Sequence, residues 1–554
     1  MGSKVDLIPA YKATDVDDIP QICQTVRSTF RTNKTKSIEW RKVQLRKLYW
    51  AVTDHTPQLE EAMRRDLRRS TYEAHLTEID WIKNDCVWMS DQLDKFASDQ
   101  RLGSPFVPLI FAAHKFRSHP EPLGTALIIG TYNYPIMLIL VPLVGAIAAG
   151  CTAVIKPSEG APNTAMAIQE MLEKYLDPSA YRVVNGGVPE TTALLDEKWD
   201  KIFYTGGAEV GKIIAKKAAE TLTPVTLELG GRNPAFVTRN ANVKLAARRL
   251  LWGKALNAGQ VCLSHNYVLV EKEVVDEFIK GLNEAYNQFF PNGAKQSPDL
   301  SRIINERHFL RMKKMLDETK GKIVLGGELD QTELYIAPTA VLVDSYSDSM
   351  VEQESFGPIF AVLPVNTLSE AINIANAVDR TPLALFTFGS KAENERGMQR
   401  ISIPRRSITD MTSTPLVLRE VTSGGATIND SFFHASMNNV PFGGVGGSGM
   451  GGASRGKAGF DAFTHYRTVA ETPAWMEKLI RIRYMPYKWS EMNRMSFMRD
   501  ERPNFDRNGR LIRGLGYWIK FVLGLGGKEP KGAFLRWLTL VVAYAAWILT
   551  ARRR

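Results

Sequence analysis

The sequence predicts an α/β protein built on parallel sheets, and three observations carry that prediction. At 554 residues the chain is long enough for two or more domains with large cores. From residue 122 onward, short apolar runs alternate with helical patterns, the order that βαβ units impose. A second alternating region runs from residue 225 to 435. The composition, 44 % hydrophobic and 23 % charged, is that of an ordinary globular protein.

Residues 15–100 read as helices, with "RKVQLRKLYWAVTDHTPQLEEAMRRDL" placing apolar residues at helical spacing among dense charge. "GTALIIG" then reads as a strand, "CTAVIKP" as a second, and "PNTAMAIQEMLEKYL" as a helix. "AYRVVNG", "KIFYTGG" and "AEVGKIIAKKAAE" continue the alternation. Between the first two strands lies "IMLILVPLVGAIAAG" (Ile136–Gly150), apolar enough to raise the question of a membrane span. It contains Pro142 and Gly145, lacks a basic flank and is held between strands, so it reads as a buried core helix. In the second region "AFVTR", "NYVLVE", "KIVLGG" and "FAVLPV" read as strands, with "EVVDEFIKGLNEAYNQFF" and "LSEAINIANAV" as helices. Residues 436–470 are glycine-rich, and a polar, aromatic tail follows.

The net charge of +11 is informative once located. Residues 477–554 carry 17 Lys+Arg and 6 Asp+Glu, whereas residues 1–476 carry 53 of each sign. A nucleic-acid enzyme keeps basic charge near its groove; here the whole excess adjoins the terminal apolar run, which suits an anionic membrane surface. That run, "FLRWLTLVVAYAAWILTARRR" (Phe534–Arg554), holds 15 uncharged residues from Trp537 to Ala551 before three arginines. As a helix those residues span roughly 22 Å, short of the ~30 Å hydrocarbon core. Starting at Ala533 the helix reaches roughly 28 Å if Arg536 snorkels. The expectation is a basic extension over 471–532 and a membrane anchor over 533–554, facing the cytosol from the endoplasmic reticulum, mitochondrial outer membrane, peroxisome or lipid droplet. Cys23, Cys86, Cys151 and Cys262 are scattered with no CxxC pair, which argues against a disulfide framework or zinc site. The start "MGSKVDLIPA" has no apolar signal-peptide core, and Asp6 breaks the myristoylation pattern.

Two glycine motifs read as decoys. "GVGGSG" (Gly444–Gly449) matches a dinucleotide fingerprint by letter, but no strand opens it and no helix follows. "GGASRGKA" (Gly451–Ala458) nearly spells a P-loop, with Ala458 where a magnesium-binding hydroxyl belongs. Both read as close backbone packing.

A stronger constellation is dispersed. "NAGQVCLSH" places Cys262 after a glycine-containing turn and before the strand "NYVLVE". Alone it reads first as an inert buried thiol, the commonest fate of a free cysteine, and only second as a nucleophile. "TLELGGRNP" puts Glu228 at an apolar strand end, where burying a carboxylate is costly and points to a base with a raised pKa. "GTYNYP" places Asn133 at a strand-to-helix turn, where its amide can donate to a developing oxyanion.

Together with these, "TYNYP", "KPSE", "YTGGAEVG", "LELGG", "GQVC", "QESFGP" and "PFGGVGGSGMG" stand in an order and spacing that resemble the aldehyde dehydrogenase superfamily over residues 20–470. "KPSE", "LALFTFGS", "SGGATIND" and the C-terminal extension resemble its class 3 branch, which includes membrane-bound fatty aldehyde dehydrogenases and fungal apocarotenal dehydrogenases. The resemblance implies two parallel-sheet α/β domains, a Rossmann-like cofactor domain over 1–227 (with a β arm near 103–122) and a catalytic domain over 228–435. It also implies an oligomerisation segment over 436–470 and a homodimer.

It further implies that Cys262 attacks the aldehyde to give a thiohemiacetal, with the Asn133 amide and the Cys262 N–H holding the oxyanion. Glu228 would activate the water that releases the acid from a thioester. The implied cofactor is NAD, with NADP possible. Lys156 and Glu159 would meet the adenosine ribose, the carboxylate favouring NAD. Gly206 and Gly211 would open a helix toward the pyrophosphate, and Glu354 and Phe356 would meet the nicotinamide ribose. No metal is implied. The departures are Gly207, Ala208, Arg232, Val261 and Gly447, an extra residue after Met450, and an insertion over Arg400–Val421. All three catalytic groups are kept. The expected activity is oxidation of a long, apolar aldehyde, a fatty aldehyde or an apocarotenal. A short-chain or aromatic aldehyde and a non-catalytic, membrane-tethered NAD-binding protein are the competing readings.

Overall fold

The computed structural model describes residues 8–102, 113–390, 417–490, 505–511, 536–542 and 544. The chain divides into two compact units, residues 1–100 with 118–468, and residues 101–117 with 469–554.

Both large sheets belong to the first unit. One has six strands in the spatial order Gly449–Met450, Val225–Glu228, Lys201–Thr205, Thr125–Ile129, Thr152–Lys156, Tyr181–Val183. Every pair is parallel except the first. Thr125–Ile129 and Thr152–Lys156 are buried along their whole length, which is why they read as unbroken apolar runs and not as alternating ones. The second sheet has seven strands, ordered Lys322–Leu325, Thr339–Leu342, Ile359–Val365, His265–Glu271, Asn233–Val237, Ala384–Phe388, Gly425–Ile428. Here too one edge pair, Lys322–Leu325 with Thr339–Leu342, is antiparallel. The connection between those two strands carries a short ribbon, Leu329–Asp330 on Tyr335–Ile336, where a parallel crossover would place a helix.

The Ile136 run is a core helix, Met137–Ala149, with all 13 residues buried, and it connects the paired strands Thr125–Ile129 and Thr152–Lys156. It ends on Gly150 at φ 94°, and buried Arg41 donates to the Ala148 carbonyl at 3.1 Å, a cation at the helix's negative end. The helical reading of residues 15–100 corresponds to Ile19–Arg31, Ile38–Asp54, Thr56–Leu67 and Asp80–Phe96. Before the last of these the backbone widens into a π turn, His75–Ile79.

The glycine-rich segment is woven into the first unit. Gly449–Met450 forms the edge strand on Val225–Glu228, so a short strand does stand beside both decoy motifs. The helix Gly456–Asp461 packs on Met137–Ala149, and a Cβ on Gly145 would come within 2.7 Å of the Gly459 carbonyl oxygen. Thr464–Val469 joins Gln100–Arg101 and Arg117–Pro122 in a three-stranded sheet, and Arg117–Pro122 falls within the expected arm. Glu228 is the last residue of its strand in the first sheet, so the expected 227/228 boundary falls inside a strand, and the next strand, Asn233–Val237, belongs to the second sheet.

In the second unit Lys115 pairs with Glu471 at 2.8 Å, and the Glu471 N–H donates to the His114 carbonyl. Residues 536–542 of the expected anchor are helical, with Trp537, Leu538, Val541 and Val542 exposed. The rest of the anchor except Tyr544, and the insertion up to residue 416, lie outside the described residues. Among the described residues no helix is long and apolar enough to cross a membrane.

Candidate active site

Cys262 follows a turn in which Asn257, Ala258 and Gly259 all have positive φ, at 50°, 49° and 69°. Two consecutive non-glycine residues in this region are strained, by on the order of 1–3 kcal/mol each. The surroundings hold them there. The Asn257 N–H donates to Glu73 at 2.6 Å, and its side-chain amide donates to the carbonyls of Asn133 at 2.8 Å and Gln260 at 3.0 Å. Gly259 is required for a second reason, since a Cβ there would lie 2.1 Å from the Gly357 carbonyl oxygen. After the turn, the Asn233 amide donates to the carbonyls of Cys262 at 2.7 Å and Ser264 at 3.1 Å, tying the cysteine to the head of the second sheet.

Asn133 lies on the same turn, its amide donating to the Gln260 carbonyl at 3.0 Å. A buried ion network supports it from behind. Arg69 pairs with Glu78 and donates to the Asn133 carbonyl at 2.5 Å. Glu78 also accepts the Ile136 and Met137 N–H groups at 2.7 and 2.8 Å, filling the N-terminus of the core helix. The π turn brings Glu73 and Glu78 inward together, both buried.

Glu228, 5 % exposed, ends its strand with its carboxylate accepting the Ser454 hydroxyl. Burial raises its pKa, opposed by the charge of Arg455 and the Ser454 bond. The Cys262 thiol is pushed up to about 12, first by burial and then by Glu228, while Arg455 and the Leu263 N–H favour the thiolate.

Two cavities meet at Cys262. One, about 320 Å³, is lined by Asn133, Gly206, Glu228, Cys262, Glu354 and Phe356, so it brings together six of the residues singled out by sequence. Its rim at Gly206 and Gly207 precedes the helix Ala208–Ala219, whose N-terminal N–H groups suit a phosphate. The Thr205 hydroxyl and Asn133 Oδ1 that face it are buried and have no partner among the described residues. Glu354 is pushed up to about 7 by burial, despite the Gly231 N–H and Arg311. These features fit a dinucleotide at the carboxyl ends of a parallel sheet. Lys156 and Glu159 do not line this cavity; they pair with each other at 2.6 Å at the end of Thr152–Lys156. Gly211 is buried inside the helix, where a Cβ would come within 3.0 Å of Leu229, so its place is helix–sheet packing.

The other cavity, about 420 Å³, is lined by Trp81, Tyr134, Trp252, Val261, Phe432 and Phe442, with Cys262 and Arg455 among its remaining walls. Sequence reading missed these aromatics, and it missed Arg69, Glu78, Asn257 and Ser454. It passed over Arg455 inside the P-loop decoy. A charged residue in an otherwise small-residue run was the one available signal.

A thiol between a nucleotide-shaped cleft and an apolar pocket, on two parallel sheets, defines a dinucleotide-linked oxidoreductase. The profile of the Aldehyde dehydrogenase family matches residues 3–391, and the chain belongs to that family. It is 59 % identical over 544 residues to the beta-apo-4'-carotenal oxygenase of Neurospora crassa, covering 98 % of each chain. It is 38 % identical to aldehyde dehydrogenase family 3 member A2 of Mus musculus, over 88 % of this chain and 95 % of that one. Among solved structures, the substrate-bound state of Staphylococcus aureus AldH superposes with a TM-score of 0.79 at 36 % identity, over 86 % of this chain and 99 % of that one. The protein is an aldehyde-oxidising enzyme, class 3-like, that uses NAD or NADP.

Proposed function

We propose that this enzyme oxidises a long, apolar aldehyde, an apocarotenal or fatty aldehyde, to its carboxylic acid through a thioester on Cys262. The observation that carries the substrate class is the aromatic cavity ending at the thiol. Its volume lies within the usual range for small-molecule sites, ~300–1,000 Å³. The name of the Neurospora crassa relative supports an apocarotenal first.

The aldehyde enters along the aromatic walls and presents its carbonyl to Cys262. The Sγ–H proton passes to Glu228 as the S–C bond forms, leaving a thiohemiacetal whose oxygen takes the negative charge. The Asn133 amide and the Cys262 N–H stabilise that oxygen. NAD, when bound, supplies the acceptor for the hydrogen that leaves the aldehyde carbon with its bonding electrons. Glu228 releases the proton it took from sulfur to solvent and, ionised again, takes one from water, whose oxygen attacks the thioester; as the S–C bond breaks that proton returns to the sulfur and the acid departs. Residues 1–227 carry the cofactor, with Lys156 and Glu159 at the adenosine ribose, Gly206 and the helix behind it at the pyrophosphate, and Glu354 and Phe356 at the nicotinamide ribose. Residues 228–435 carry the nucleophile. Assays with NAD and an apocarotenal, hexadecanal or a short aldehyde should give the highest kcat/KM with a long substrate; preference for the short one sinks the substrate assignment.

We propose too that the basic tail, 471–554, holds a homodimer at a membrane, a reading supported by the charge excess beside the terminal apolar run. The full chain should sediment with vesicles containing anionic lipid and a truncation at Lys531 should not. A full-length protein that stays in the supernatant refutes it.

A further inference from the structure

Arg455 is a buried cation that the chemistry above leaves unused. It is 6 % exposed, and its guanidinium carbon lies 4.0 Å from the Phe442 ring centre and 5.0 Å from that of Trp81. One of its nitrogens donates to the Ala435 carbonyl at 2.9 Å. Its backbone stands at φ 69°, ψ 151°, a region that glycine alone occupies readily. Two destabilising features therefore coincide, a strained backbone and a desolvated charge. Packing between two rings explains neither, because an apolar side chain of similar volume would pack there without burying a charge.

The surroundings of Arg455 give the charge a purpose. It lines the cavity that contains Cys262 and also a small gap that contains Glu228, and the preceding residue, Ser454, donates to Glu228. Four titratable groups among the described residues face it: Glu228, Cys262, Asp85 from the helix Asp80–Phe96, and His434. Among the described residues, those facing Cys262 are Glu228, Glu354, Tyr134 and Arg455, and Arg455 is the one cation of the four.

We propose that Arg455 is a positioning residue that holds the single negative charge shared by Cys262 and Glu228, first on the carboxylate and then on the sulfur. The proposal rests on the reading of those two residues as nucleophile and base. When the Sγ–H proton moves to Glu228, the S–H bond breaks, an O–H bond forms, and the negative charge crosses from carboxylate to sulfur with no net change. One fixed guanidinium serves both ends of that transfer, and serves the carboxylate again when water must be activated. Burial raises both groups, and Arg455 lowers both. Its neighbours leave it free to do so. Asp85 is pushed up to about 7 by burial, so it competes weakly for the cation. His434 is pushed down to about 4, so it adds no second positive charge at neutral pH.

The test is the pH dependence of Cys262 alkylation by iodoacetamide, read by peptide mass on the full chain. Arg455→Met keeps the packing and removes the charge; Arg455→Lys keeps the charge and alters the packing. The Met variant should be alkylated at least ~10-fold more slowly at pH 7.5, its profile displaced upward by about 1–3 pH units. The Lys variant keeps a cation while its ammonium stays protonated, so its profile should lie nearer the wild type than the Met profile does. Both should bind NAD as the wild type does. A Met profile that coincides with the wild type overturns the proposal, as does a Lys profile displaced as far as the Met one. If the Met variant does not fold, the Lys variant decides: a displacement of a full unit is disproof and a coincident profile is support. Turnover by Cys262→Ala would instead sink the reading beneath the proposal.

Discussion

The two sides of Cys262 are built by different means. The side proposed for the cofactor is made at the carboxyl ends of strands, from Thr205, Gly206, Gly207 and Glu228 with the turn at Glu354 and Phe356. The side proposed for the substrate is made from side chains on separate segments, Trp81 and Tyr134 with Trp252, Phe432 and Phe442. Both sides draw on distant segments, but the first includes short runs at strand ends, Thr205–Gly207 and Glu228–Gly230, whereas the second takes its rings one at a time from five separate places. The difference teaches that a shared cofactor constrains short motifs, whereas a substrate constrains only the sum of a pocket.

The largest test asks whether both sides serve one atom. Cys262→Ala should reduce aldehyde turnover by on the order of 10⁴-fold or more, as loss of a nucleophile does. NAD binding, followed by fluorescence, should survive, because the cleft keeps its other walls. Turnover within tenfold of wild type would mean that the cavities do not share a nucleophile.

This contrast also decides how much was legible in the sequence. "TALII", "TAVIK" and "KIFYT" announce a parallel sheet because strands covered on both faces must be apolar throughout. Cys262, Glu228 and Asn133 were legible because each stands out chemically in its own turn or strand end. The Arg69–Glu78 network was not, because each partner reads as a solvated charge until the π turn carries Glu78 under the core helix. Arg455 was hidden by a glycine run that resembles something else. The resemblance implies an oligomerisation segment over 436–470, whose glycines give no strand signal, yet Gly449–Met450 lies within it as the edge strand of the first sheet.

An intermediate effect should separate the two sides. Trp252 lines the substrate cavity and packs on Phe432 with ring centres 6.0 Å apart. Trp252→Ala removes apolar surface worth about 1.5–3 kcal/mol if a long aldehyde covers it, so KM for that aldehyde should rise roughly tenfold or more. KM for NAD and for a short aldehyde should stay within about twofold, since neither reaches that wall. Equal losses for long and short aldehydes would show that the tryptophan supports the fold and not the substrate.

The smallest effect probes the seam between the sides. Ser454 donates to the Glu228 carboxylate, a bond available only while Glu228 is ionised or is itself the acceptor. That bond lowers the Glu228 pKa against the burial that raises it. Ser454→Ala should therefore raise the pKa further. If Glu228 acts as the base in its ionised form, the acid limb of kcat must move to higher pH, by about half a unit to one unit, as the loss of one hydrogen bond of ~1 kcal/mol requires. On the alkaline plateau, where Glu228 is ionised in both proteins, the rates should converge. A limb that stays in place would show that Glu228 turns away from Ser454 before water is activated, and a limb displaced downward would contradict its role as a base.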